Sequence, residues 1–227
     1  MTEPDPIDVY RQVRERVSAL TTAADDAALD RDCPATPGWR VRDVVAHLGG
    51  ATADIVAGNL DGVASDAWTQ AQVDARVDWS IAEVLEEWAR CSEVVEPLIP
   101  SIDPLMQTML LADAVTHEHD VRCGLDASGA RESDGVALAF GRLAPALGAQ
   151  RRAAGPLRIE HEDGVVVVGG DAEPTATLRA TRFDVLRGAF GRRSLGQIAA
   201  WDWSGEVNVE AMVLSRFAPP RTSSLVE

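Results

Sequence analysis

Residues 103–120 read DPLMQTMLLADAVTHEHD, a stretch whose pattern is helical from its first residue. Asp103 followed by Pro104 is an N-cap with a first-turn proline, which opens a helix running to about Cys123. Gly124 then ends it. At about 100° per residue, Asp113 and His117 lie about 40° apart in projection, and Asp120 falls within about 20° of Asp113. The same stripe runs back through Met106, Met109 and Leu110 and forward to Val121. Ionisable groups on an apolar stripe face a helical interior, where they are costly unless paired or bound to a metal. Glu118 and His119 fall off the stripe and are expected to be solvated.

Working outward, three more amphipathic helices precede this one. Ile7, Tyr10, Val13, Val17 and Leu20 mark a helix over 6–25, and Val41, Val44, Val45, Leu48 and Ile55 mark another over 40–60. Between them, Asp30 to Gly38 holds two prolines and a glycine and reads as a loop. A third helical region covers about 70–96, with Ser80 and Glu83 forming a capping box inside it. Pro97 and Pro100 break it. A shorter helix is expected from Ser133 to about Leu147. The hydrophobic period then changes from helical to alternating. Leu157–Glu160 and Val165–Val168, joined by the turn at His161 to Gly164, read as a β-hairpin. Thr175–Arg179 and Ile198–Trp203 read as strands, and Thr181–Phe190 and Val207–Phe217 as helices. Helices first and mixed elements later predict an α+β protein: a helical bundle over 6–148 and a small α/β domain over 156–220, with 150–156 as linker.

Composition narrows the function. The 227 residues are 46% hydrophobic and 25% charged, enough for a sizeable core. A net charge of −15 disfavours nucleic acid and anionic lipid as partners. All 21 basic residues are Arg, which suggests a GC-rich genome. Cys33, Cys91 and Cys123 are odd in number and form no CxxC pair, so neither a disulfide framework nor a cysteine zinc site is expected. No basic leader and no membrane-length apolar run is read, so the expected location is cytoplasmic. The expected assembly is a monomer or a homodimer.

A carboxylate and an imidazole at i and i+4 can reach one cation from one helix. A third ligand must come from elsewhere. His47 lies on the inward stripe of Val44, Ala51 and Ile55 and is the best of the four histidines; His161 falls in the hairpin turn. The blander reading makes Asp113–His117 a buried acid–imidazole pair, with Asp120 pairing with Arg122 or capping a neighbour. Spacing leaves both open. Arg192 and Arg193 read first as a solvated basic turn, and alternatively as a bidentate grip on a substrate carboxylate. Trp39 and Trp68 are expected at a pocket mouth, together with the second domain, and at least one of Trp201 and Trp203 in core packing. Cys123, six residues past His117, lies about 120° off the ligand stripe and is a poor nucleophile candidate.

The segment Pro37-Gly-Trp-Arg-Val-Arg-Asp-Val-Val-Ala-His-Leu48 resembles the second-helix signature of the mycothiol-dependent maleylpyruvate isomerase family. Asp113, His117 and Asp120 fall on that family's fourth-helix spacing, and the likeness runs in order over residues 6–148. More weakly, Gly191-Arg-Arg-Ser194 after a helix is similar to the family's small C-terminal domain. The resemblance implies a DinB-like four-helix bundle followed by a sterol-carrier-like α/β domain. It implies His47, Asp113 and His117 as ligands of one divalent metal, zinc by usual assignment, with Asp120 behind them orienting an imidazole. It implies mycothiol as thiol cosubstrate, an actinobacterial source, and isomerisation or S-transfer on a small electrophile. One departure stands out: Asp113 occupies a position where Glu is usual, so the helices must approach more closely or the ion must shift. Two other functions compete: a non-catalytic protein binding a metal or an apolar ligand, and a metal-dependent hydrolase that uses water.

Overall fold

The computed structural model describes residues 3–214 and 219–227. The protein is α+β and divides into two compact units, 1–129 and 130–226. Among the described residues no helix is long and apolar enough to cross a membrane.

The first unit is helical: α1 (Pro6–Ala23), α2 (Asp26–Leu29), α3 (Val41–Ala57), α4 (Asp66–Asp74), α5 (Ile81–Val95), a 3-10 segment (Glu96–Ser101) and α6 (Pro104–Gly124). The long helices close a ring in which α1 packs on α6, α6 on α3, α3 on α5 and α5 on α1. These are the four helices expected. The third expected region proves to be two helices, α4 and α5, separated where Ser80 caps α5: its Oγ accepts from Glu83 N at 3.3 Å, and the Glu83 carboxylate accepts from Ser80 N at 2.8 Å. The inward stripes supply Val13 and Val17, Val41 and Val44, Trp88 and Val115, all at most 1% exposed. Each such side chain contributes about 1.5–3 kcal/mol on burial. Trp88 donates to Tyr10 Oη at 2.9 Å, which pairs with Thr52 at 2.7 Å, so these three buried polar side chains satisfy one another across three helices.

The C-terminal half of α6 departs from a simple amphipathic helix. His117, Glu118, His119 and Asp120 are all buried, the last three at 0%, 3% and 0% exposure. Four consecutive residues cover a helix's whole circumference, so this half is enclosed on every side. Glu118 and His119 are therefore not solvated as their position off the stripe suggested. Glu118 takes both guanidinium donors of Arg16 at 2.7 Å each and Arg122 Nε at 3.0 Å. Arg122 is thus a partner of Glu118, where the blander reading of the sequence paired it with Asp120.

The second unit holds α7 (Asp134–Gln150), β1 (Leu157–His161), β2 (Gly164–Val168), β3 (Ala176–Arg179), α8 (Arg182–Ala189), α9 (Leu195–Ala199) and β4 (Asp202–Gly205). Its sheet has the order β2-β1-β3-β4, with β1–β3 parallel and the other two pairs antiparallel. The units part at 129/130 and not within 150–156. Phe140 and Leu147 of α7 belong to the core formed by Leu157, Ile159, Leu178, Val185 and Ile198, so α7 packs with the sheet. Arg151, in the expected linker, is 0% exposed. The turn-rich stretch 125–133 carries the break instead, with Asp126, Gly129 and Ala130 at positive φ.

The strand expected over 198–203 is α9 followed by β4, with Trp203 Nε1 donating to Ile198 O at 2.8 Å. Trp201 and Trp203 both pack against the core. Where a helix was expected over 207–217, the described residues hold one 3-10 turn, Glu210–Met212. Residues 215–218, including Phe217, lie outside the described residues.

Candidate metal centre

His47 projects from the middle of α3, and Asp113 and His117 from successive turns of α6, which packs on α3. His47 Nε2 lies 3.3 Å from Asp113 Oδ2, and His117 Nε2 lies 3.4 Å from Asp113 Oδ1. The two imidazole rings are 4.9 Å apart and nearly perpendicular. One ligand atom from each residue falls within 4.8 Å of the others. His47 and His117 are 3% and 8% exposed, whereas the Asp113 side chain is 41% exposed and gives the cluster its opening.

The far side of each imidazole is already engaged. His47 Nδ1 is 2.7 Å from Gln72 Oε1, and His117 Nδ1 is 2.9 Å from Asp120 Oδ2, a carboxylate with no exposure. Trp39 covers both rings, its own ring 5.5 Å from His47 and 6.3 Å from His117, and is itself held by Gln70 at 3.1 Å. Trp68, the other expected mouth residue, donates from Nε1 to Asn59 O at 3.0 Å.

This donor set fits a zinc-like ion. Two ligand atoms on a tetrahedral ion with bonds of 2.0–2.2 Å stand about 3.3–3.5 Å apart. Each imidazole nitrogen meets one carboxylate oxygen at about that separation, His47 Nε2 on Oδ2 at 3.3 Å and His117 Nε2 on Oδ1 at 3.4 Å. Helices α3 and α6 approach closely at one end. Gly124, at the end of α6, sits where a Cβ would stand 2.5 Å from Val41 Cγ2 of α3.

Without a metal, the cluster's charges compensate one another. Burial pushes the His117 imidazole down, but Asp113, and then Asp120, outweigh it and raise its pKa to about 9. Burial likewise raises the Asp113 carboxyl, but His117 and His47 hold it below the usual carboxylate range.

Other sequence candidates lie elsewhere. Arg193 is buried, with Nη2 3.3 Å from Asp184 Oδ1 and its guanidinium 5.8 Å from the Phe183 ring. Arg192 donates to Phe190 O at 2.8 Å. Both are thus tied into the second unit, and Arg193 is no solvated turn residue. Cys33 is buried with Sγ donating to Asp120 O at 3.2 Å, and burial pushes its thiol up, away from nucleophile range. Sequence reasoning missed Gln72. No spacing rule marks a glutamine on α4 as the partner of a histidine on α3.

The family model of the mycothiol maleylpyruvate isomerase N-terminal domain matches residues 10–122. Through this first unit the chain belongs to that family. Two solved structures share the fold. One is a crystal structure of the mycothiol-dependent maleylpyruvate isomerase, with a TM-score of 0.61, and the other is a histidine-to-alanine mutant of it, at 0.60. Each is 12% identical and aligns over 92% of this chain and 95% of its own. At that identity the likeness is one of fold. No curated protein sequence matches the chain.

Proposed function

We propose that His47, Asp113 and His117 hold one divalent metal, with zinc favoured by the nitrogen and oxygen donors, and that the centre activates a small thiol. The carrying observation is the convergence of two imidazole Nε2 atoms on one carboxylate at 3.3 and 3.4 Å, with both Nδ1 atoms already engaged. Three protein ligands leave an exchangeable position, the pattern of catalytic and not structural zinc. When bound, the ion supplies a Lewis-acid position that favours the thiolate form of an incoming thiol at neutral pH.

The residues of this chain do the positioning. Asp120 and Gln72 hold the two rings. Trp39 shields them on one side, while the exposed edge of Asp113 leaves the other open to a ligand. Family membership makes mycothiol the favoured thiol. A thiolate that adds to the double bond of a cis-unsaturated acid permits rotation about the resulting single bond. It then departs with the trans product, so that the thiol is regenerated and atoms and charge balance. S-transfer uses the same activated thiolate on another small electrophile.

The test is metal analysis of protein purified without chelator, then mycothiol titration of the cobalt-substituted form. About one equivalent of metal and a thiol-dependent change in the cobalt spectrum are expected. Metal-replete protein that neither binds nor uses mycothiol, assayed on unsaturated acids and electrophiles, would favour the hydrolase or binding-protein reading.

A further inference from the structure

We infer that Gln72 and Asp54 form a hydrogen-bond relay that fixes the tautomer of His47, leaving its Nε2 bare for the metal. The inference rests on the metal centre proposed above. A carboxylate only accepts. Asp54 accepts from Gln72 Nε2 at 2.8 Å and from Asn59 Nδ2 at 2.9 Å. Gln72 therefore turns its NH2 group to Asp54 and its Oε1 to His47. An amide oxygen also only accepts, so the proton of the neutral imidazole sits on Nδ1, 2.7 Å away. The Nε2 lone pair then points into the cluster beside Asp113. Were the amide reversed, Nδ1 would have to accept, and the proton on Nε2 would block the ligand position.

The surroundings hold the relay in place. Gln72 is 3% exposed, too enclosed for bulk water to replace it. Its helix, α4, lies tightly against α3 because residue 50 is glycine: a Cβ there would stand 2.6 Å from Gln72 Cβ. Arg76 Nη1 donates to Gln72 O at 2.9 Å and pins the turn. His117 is oriented differently, by the carboxylate of Asp120 itself. The amide at Gln72 transmits the orienting effect of Asp54 to His47 without bringing a second charge against the rings. Gln72 and Asp54 are positioning residues that act only through His47.

The test measures zinc affinity by chelator competition, with far-UV circular dichroism as the check on folding. Gln72→Leu removes the acceptor and is expected to weaken zinc binding about 10–100-fold. Asp54→Asn keeps the shape but lets the amide pair flip, and is expected to weaken binding several-fold. Gln72→Glu alone sets two acceptors against each other where Gln72 donated to Asp54 at 2.8 Å and is expected to weaken zinc binding, whereas adding Asp54→Asn supplies a donor to the introduced carboxylate and brings the affinity back to within a few-fold of wild type. A purely structural role for Asp54 predicts the same loss in both backgrounds, and that result would overturn the relay. Zinc binding insensitive to Gln72→Leu would also overturn it. Wild-type protein that takes up no zinc would overturn the metal centre itself, a different outcome from either.

Discussion

Two buried ionic clusters sit side by side on α6, and they are built to opposite ends. Around Glu118, donors meet acceptors: two guanidinium groups close on one fully buried carboxylate, with contacts of 2.7 to 3.0 Å. Around Asp113, five residues earlier, acceptors are gathered together. Two imidazoles whose Nδ1 atoms are taken turn their Nε2 atoms onto a carboxylate that is itself 41% exposed. The first arrangement is complete and ties α1 to α6. The second is complete only with a cation, either protons on the rings or a metal between them. Burial of charge alone does not mark a site; what marks it is a surplus of lone pairs aimed at one point.

The largest expected effect separates the clusters outright. His47→Ala or His117→Ala should abolish zinc binding and any thiol-dependent turnover, read by metal analysis and activity assay, while Glu118→Gln should leave zinc stoichiometry intact. Conversely, Glu118→Gln leaves two guanidinium groups facing a neutral amide and should cost about 3 kcal/mol in urea denaturation, in the range for breaking a buried pair. An equal loss of zinc in Glu118→Gln would erase the distinction.

Next in size is pH. In metal-free protein the His117 pKa is raised to about 9 from 6.5. A raised imidazole pKa contributes stability that is fully present below pH 6.5 and is lost as pH rises through about 9. Zinc must displace that proton, so its apparent affinity should climb with pH up to about 9, in chelator competition between pH 6.5 and 9.5. A flat profile would place the ion away from His117. Gly124→Ala forces a methyl toward Val41, should destabilise by about 1–3 kcal/mol, and should weaken zinc modestly by parting α3 and α6. The smallest effect is expected for Asp113→Glu, which lengthens the arm on the open side and should retain or improve zinc affinity in the same competition assay.

Much of this cluster was legible in the chain. The i, i+4 spacing of Asp113 and His117, with Asp120 three residues on, is a property of any α-helix, so the stripe could be drawn before packing was known. His47 could be placed on an inward stripe for the same reason. The caps at Asp103 and Ser80 lie within a few residues of the helices they start, and both are present: Asp103 Oδ1 accepts from Leu105 N at 3.0 Å, and Ser80 and Glu83 form their box. The family likeness over 37–48 and 113–120 implied the proposed ligand set, because its two motifs are local and ordered.

What the sequence by itself determined is therefore local: which segments are helical, how they start, and which side chains share a face. Tertiary structure decided everything that depends on a neighbour distant in the chain. It enclosed Glu118 and His119, whose helical phase pointed to solvent, because the end of α6 is covered on all sides. It drew α7 to the sheet, since an apolar stripe specifies that a helix is buried but not against what. It also brought Gln72 to His47 across 25 positions of sequence, through an approach that only a glycine at position 50 allows. Hydrogen-bond direction at that histidine is set by groups meeting in space, and helical periodicity carries no information about them.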